Sequence, residues 1–154
     1  MIEYSDSISL AEQAEAITAD VPHLIANLAN VSALIYRELP DLNWAGFYLA
    51  EGDVLVLGPF QGNPACVEIE WGKGVCGTAA KLDETQLVPD VHVFDGHIAC
   101  DSASQSEIVV PIHRNGAVIG VLDIDSPKLN RFTEKDKEDL EALVEVIERT
   151  CFNK

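Results

Sequence analysis

Cationic side chains are scarce in this sequence: 10 lysines and arginines stand against 26 aspartates and glutamates, a formal net charge of −16. Phosphate backbones are repelled by such a surface unless a local basic patch opposes it, and no Lys/Arg cluster occurs. Nucleic acid is therefore not an expected partner, and the acid excess reads as a soluble, solvated surface. Long apolar runs are missing as well. None approaches the roughly 18 residues of a membrane helix, so no membrane partner is expected. The opening MIEYSDSISLAEQAEA has neither a basic region nor an apolar core of the kind a secretory leader carries. Linkers, internal repeats and low-complexity tracts are lacking too, and a length of 154 residues suits one domain, residues 1–154, with its own core. Cysteines number four, yet a core of this size needs no disulfide staples. The expected compartment is the cytoplasm, where unusual cysteine placement signals metal or redox work.

What is present is a pattern of helices at the ends and strands between. Residues 8–19 and 22–38 read as helices, with Pro22 in the first turn of the second. Leu24, Ile25, Leu28, Val31, Leu34 and Ile35 recur there at helical spacing as a core-facing stripe. AGFYLA (45–50) and DVLVLG (53–58) flank Glu51-Gly52 and read as a hairpin. CVEIEW (66–71) alternates, with Val67, Ile69 and Trp71 on one face. QLVPDV (86–91) is a short strand interrupted by Pro89. Residues 92–106 show no periodicity and form a long loop, of a length that is usually functional. EIVVPIH (107–113) and AVIGVLDID (117–125) are the strongest strands. A last helix starts at Thr133, whose spacing to Asp136 suits a capping box, and its apolar face is Leu140, Leu143, Val144, Ile147 and Cys151. The order predicts an α+β fold: a largely antiparallel central sheet, N- and C-terminal helices on one face, and pocket-forming loops on the other.

GKGVCG (72–77) formally matches the G-x-G-x-x-G phosphate fingerprint. A dinucleotide unit needs a crossover helix and a parallel second strand ending in an acid about 20 residues on. Here the helical stretch is short, is broken at Asp83, and lies in mid-chain. The glycines are better read as a tight strand-to-helix turn whose N–H groups can approach an anion.

Cys66, Cys76 and Cys100 lie in or beside the loop-rich middle, whereas Cys151 reads as a small buried hydrophobe on a helix. His92, His97 and Cys100 share one loop, but their spacing matches no compact zinc pair, so no metal is expected and His97 is assigned to loop hydrogen bonding. Acids inside strands are the second anomaly. Asp123 and Asp125 share one strand face because the side-chain period is two, and Asp is depleted from strands, so the pair suggests a polar pocket. Glu107 begins the partner strand. A two-residue Asn115-Gly116 loop would set it opposite Ile124, while a three-residue Arg114-Asn115-Gly116 loop would set it opposite Asp123. The second register is expected, because it gathers three carboxylates on one face.

These residues resemble one family: the free methionine-(R)-sulfoxide reductases, built on a GAF domain. The likeness runs through NWAGFYL (43–49), LGPFQGNPAC (57–66), GKGVCGTAA (72–80), VPDVHVFDGHIACDSASQSEIVVP (88–111) and GVLDIDSP (120–127). Asp95 stands where proline is expected in many relatives. The resemblance implies a single GAF domain and an oxidoreductase that needs no cofactor. In it Cys100 attacks the sulfoxide sulfur and becomes a sulfenic acid. It implies Cys66 as the main resolving cysteine, disulfide-bonded to Cys100, with Cys76 as an alternative resolver. Glu107, Asp123 and Asp125 match carboxylates that bind substrate and handle the oxygen's proton, and Trp44 matches a residue packed on the substrate methyl. It further implies a pocket closed by residues 88–101, recycling by thioredoxin, and a homodimer.

Overall fold

The structure is a computed structural model and describes residues 8–98 and 100–153. Among them the helices are α1 (Leu10–Thr18), α2 (Leu24–Glu38), α3 (Gly74–Leu82) and α4 (Glu134–Ile147). The strands are β1 (Trp44–Glu51), β2 (Val54–Gly62), β3 (Glu68–Glu70), β4 (Gln86–Val88), β5 (Ser106–Arg114) and β6 (Ala117–Ser126). They form one sheet in the order β3-β2-β1-β6-β5-β4, with every neighbouring pair antiparallel. Among the described residues no helix is long and apolar enough to cross a membrane.

Alternation along β1, β5 and β6 supplies apolar side chains to both faces of the sheet. On one face Phe47, Ile108, Ile112, Leu122 and Ile124 meet Leu28, Val31 and Ile35 of α2 and Leu140, Leu143 and Ile147 of α4. Each such fully buried side chain contributes roughly 1.5–3 kcal/mol of transfer free energy. The other face carries Trp44, Tyr48, Leu55, Val109 and Val121, covered by α3 and the middle loops. The expected α+β arrangement is therefore the observed one, with α3 added to the loop side. Helix α4 begins as its sequence predicts: Thr133 Oγ1 accepts from the Asp136 N–H at 3.1 Å, and Asp136 Oδ2 accepts from the Thr133 N–H at 2.8 Å.

Several local expectations are corrected. Helix α2 starts at Leu24 with His23 as its N-cap, so Pro22 precedes the helix rather than filling its first turn. Ile25 is 65% exposed, since the sheet meets only the Leu28-Val31-Ile35 side of that helix. In the first hairpin Glu51 pairs with Val54, which makes the turn Gly52-Asp53 rather than Glu51-Gly52, with Gly52 supplying the positive φ of 61°. Residues 66–71 contribute only the three-residue β3. Val67, just ahead of β3, is 63% exposed although its carbonyl still accepts from the Leu57 N–H of β2 at 2.8 Å.

The β5–β6 register decides where the acids go, and it differs from the expected one. Arg114 pairs with Ala117, and Asn115 and Gly116 both take positive φ, 54° and 78°, as a two-residue mirror-image turn requires. That turn alone would send Glu107 opposite Ile124. One extra residue, Ile119, intervenes in β6: His113 pairs with Val118, but Ile112 pairs with Gly120. The bulge shifts the rest of the ladder by one, so Glu107 faces Asp125 and Val109 faces Asp123. The expected Glu107–Asp123 pairing is thus wrong. The three acids still share a face, because the bulge restores the parity that the shorter turn would have reversed. Gly120 sits where an added Cβ would come 2.6 Å from the Tyr48 carbonyl, so this close approach of β1 tolerates no side chain.

Candidate active site

Three parts of the chain converge on the loop side of the sheet around a narrow pocket of ≈ 30 Å³ that opens to solvent. Strands β1, β5 and β6 form its floor, presenting Trp44, Tyr48, Glu107, Asp123 and Asp125. The start of α3 forms one wall with Lys73, Gly74, Val75 and Cys76, and the loop ahead of β5 forms the lid with His97, Ile98 and Cys100. Trp44, Cys76, Cys100, Glu107, Asp123 and Asp125 therefore all line the pocket. Cys66 joins them through a disulfide to Cys100, with a Cα–Cα distance of 5.5 Å.

The elements fix these groups for identifiable reasons. Trp44 stacks with Tyr48 and with Phe60, at ring-centroid distances of 5.9 and 5.1 Å, and its indole N–H donates to the Asn63 carbonyl at 3.1 Å. The Tyr48 hydroxyl donates to the Cys66 carbonyl at 2.8 Å. These two aromatic side chains of β1 therefore hold the segment that carries Cys66. On the other side of the disulfide, Asn43 Nδ2 donates to Asp101 Oδ2 and to Ser104 Oγ, each at 3.1 Å, and Asp101 Oδ1 accepts from the Ala103 N–H at 2.9 Å. This ties the residues following Cys100 to the entrance of β1.

The glycine stretch does structural work at the pocket wall. Gly72 and Gly74 take φ of 85° and 61°, and the chain turns from β3 straight into α3. The Gly72 N–H donates to the Gly77 carbonyl at 2.8 Å, and the Gly77 N–H donates to Lys73 O at 2.9 Å. An added Cβ on Gly77 would lie 2.3 Å from the Glu70 carbonyl. With an all-antiparallel sheet and no parallel crossover, the dinucleotide reading of GKGVCG has no place in this topology.

Electrostatically the floor is unusual. Glu107 and Asp123 are 6% exposed and Asp125 9%. Burial pushes the Glu107 carboxyl well above the usual carboxylate range, and the neighbouring Asp123 and Asp125 add to the effect. Burial likewise pushes Asp125 well up, helped by Asp123. Asp123 is raised by burial too, opposed by its contacts with Glu107 and Cys76 and by His97. Three crowded carboxyls that cannot all ionise retain at least one proton near neutrality. Asp123 Oδ1 and Asp125 Oδ1 are buried with no hydrogen-bond partner, so two residues of the pocket lining hold unused acceptor capacity. Burial also drives the Cys76 thiol well above its ordinary value, with Asp123, Glu107 and Asp125 contributing. The Tyr48 phenol is raised for similar reasons, burial first. His97 is lowered by burial and then by His92, against the attraction of Asp123.

The trio His92, His97 and Cys100 makes no ligand set in this form, since Cys100 is bonded to Cys66 and His92 Nδ1 contacts Asp90 Oδ1 at 2.9 Å. His97 takes part in the loop turn through its backbone N–H, which donates to Phe94 O at 3.2 Å. The thiol and carboxylate groups that do gather are Cys76, Glu107 and Asp123, whose side-chain atoms lie within 4.8 Å of one another. Cys151 is half-buried and packs against the helical core, away from the pocket. Sequence reasoning missed Tyr48, Asn43, Lys73 and Ser104. Tyr48 was accessible by the period of two from Trp44; the other three lie inside the stretches that carry the resemblance, but their residue types alone assign them no role.

The GAF domain family model matches residues 14–150. The chain is 57% identical over 134 residues to the free methionine-R-sulfoxide reductase of Escherichia coli K12, covering 87% of this chain and 81% of that protein. It is 46% identical over 165 residues to the protein of the same name from Saccharomyces cerevisiae, covering 97% and 92%. The solved structure of fRMsr of Staphylococcus aureus in complex with substrate superposes with a TM-score of 0.88 at 56% identity, covering 92% of this chain and 93% of that one. The all-antiparallel sheet, the cysteine pair at a pocket of buried acids and these likenesses agree, and the chain belongs to the free methionine-R-sulfoxide reductase family of GAF-domain proteins.

Proposed function

We propose that this protein reduces free L-methionine-(R)-sulfoxide to L-methionine. The observation that carries this reading is the Cys66–Cys100 disulfide at the edge of a pocket floored by three buried acids with two unpartnered oxygens. In the reduced enzyme the Cys100 thiolate attacks the sulfoxide sulfur. Sulfoxide oxygen leaves poorly unless protonated, so a carboxyl of the Glu107, Asp123 and Asp125 cluster supplies the proton. The methionine sulfur gains two electrons and the Cys100 sulfur loses two, giving methionine and a Cys100 sulfenic acid. The Cys66 thiol then attacks that sulfur, water leaves, and the disulfide forms. Thioredoxin, a dithiol donor of two electrons and two protons, restores both thiols.

The same groups account for a free amino acid as substrate. The unpartnered aspartate oxygens suit an ammonium group, and the α3 N-terminus with Lys73 suits a carboxylate. Both charges vanish when methionine is inside a peptide. Trp44 offers an apolar wall to the substrate methyl. Cytoplasmic location and a homodimer complete the reading. The test is a thioredoxin-coupled assay following NADPH oxidation with free Met-(R)-sulfoxide, beside the S epimer and a peptide-bound sulfoxide. Turnover of the free R epimer alone is expected, and Cys100→Ser abolishes it. Binding of ligand without turnover would replace the enzyme by a non-catalytic sensor; peroxide-driven disulfide formation without turnover would make it a thiol switch.

A further inference from the structure

Cys76 is the third residue of α3, is 4% exposed, and carries a free thiol that faces the acids. Its Sγ, a Glu107 oxygen and an Asp123 oxygen lie within 4.8 Å of one another, while Cys66 and Cys100 are joined to each other. The backbone around it is held on both sides by the Gly72–Gly77 and Gly77–Lys73 hydrogen bonds, and Gly77 lies against the Glu70 carbonyl. A resolving cysteine must swing to its partner sulfur, and this helical turn has little freedom to do so.

We infer that Cys76 is a positioning residue whose S–H donates to Asp123 and keeps that carboxylate, among the three, in its ionised form. The inference rests on the proposed reductase reading and names a different role for this cysteine from that of resolving thiol. Three carboxyls on one buried floor need something to decide which of them gives up its proton. A hydrogen bond to the charged form favours that form. The thiol is suited to donate because burial beside the acids holds it protonated, and the same burial makes it a poor nucleophile. With Asp123 anionic, the retained proton stays with Glu107 and Asp125, and the unpartnered Asp123 Oδ1 is ready for the substrate ammonium.

Cys76→Ala and Cys76→Ser separate the two roles, because serine keeps a donor but cannot form a disulfide. The expected result is that Cys76→Ala raises KM for free Met-(R)-sulfoxide about tenfold and moves the acid limb of kcat/KM to higher pH. Cys76→Ser recovers most of both losses, and one disulfide still forms per turnover. Equal losses in both variants, with Cys100 sulfenic acid accumulating, would establish a resolving role and overturn the proposal. So would two variants that both behave as wild type. Carbon-13 NMR titration of the Asp123 carboxyl in the reduced protein reads the same question without turnover. A rise in its pKa in Cys76→Ala but not in Cys76→Ser supports the proposal, and no difference between them refutes it. Should wild type fail to turn over sulfoxide, the titration still decides the role of Cys76, and only the reductase reading falls.

Discussion

Glu107 faces Asp125 across the β5–β6 ladder, while Asp123 lies two residues along the same face opposite Val109. The three carboxyls are thus a pair and a diagonal neighbour on a buried floor, an arrangement that favours binding over stability. Raised carboxyl pKa values mean that the folded state keeps protons which the unfolded chain releases. Stability therefore falls as pH rises from the ordinary carboxylate range, about 4, toward the raised folded values. Glu107→Gln removes that penalty. It is expected to raise the reduced protein's stability at pH 7.5, with little gain near pH 4, and to lower kcat by about 10²-fold or more. Urea melts at the two pH values and steady-state rates check this; a variant less stable at pH 7.5 than wild type would contradict it.

Gly77 supports the pocket wall through a contact only glycine permits. In Gly77→Ala the new methyl carbon meets the Glu70 carbonyl at 2.3 Å and Gly72 N at 3.1 Å. Overpacking of this kind costs about 1–3 kcal/mol. Relief requires moving the start of α3, which carries Cys76, so activity is expected to fall beyond what the loss of folded protein explains. Chemical denaturation alongside specific activity measures the two effects separately.

His113 joins three elements on the far side of α3. Its Nδ1 meets Glu148 Oε2 at 2.8 Å, its Nε2 meets Asp83 Oδ1, and Asp83 is the left-handed residue that ends α3. Burial lowers the imidazole pKa, but the Asp83 and Glu148 contacts outweigh it and the net shift is upward. The stabilisation is complete below the unfolded value, about 6.5, and is lost as pH rises through the folded value. His113→Gln is expected to destabilise at pH 6 and to be close to neutral at pH 9. With the side chain 35% exposed, solvent screening holds the effect to about 1 kcal/mol at most. Thermal melts across that range test the sign.

The Cys66–Cys100 bond closes a loop with a sequence separation of 34. Restricting the unfolded chain over that length stabilises the oxidised form by about 3–4 kcal/mol relative to the dithiol. Oxidised wild type is expected to melt above reduced wild type, with the difference absent in Cys100→Ser. Equal melting temperatures in both redox states would contradict it.

Much of the frame follows from local chemistry. The Thr133 capping box, the Leu140-Leu143-Val144-Ile147 stripe and the doubly apolar β5 and β6 are each written in a few adjacent residues, and all three are observed. Asp123 and Asp125 share a face because a strand alternates, whatever surrounds it. The turn of β5 into β6 was misread for a nonlocal reason. Asn115-Gly116 forms the short turn its residues favour, and the compensating bulge at Ile119 precedes Gly120, where β1 comes too close for a side chain. Ile25 is a parallel case: helical spacing defines a stripe, but only the sheet's position determines which edge of that stripe is covered.

The sequence by itself therefore determined most of the helices and strands, the antiparallel α+β plan, the acid pair on β6 and the three cysteines of the middle region, since these depend on short-range periodicity and residue type. Tertiary structure alone decided that Glu107 faces Asp125, that Tyr48 and Asn43 brace the two sides of the disulfide, and that Cys76 looks toward the acids. Those relationships depend on how far apart in space distant segments come to rest, and packing sets that distance only once the whole sheet has formed.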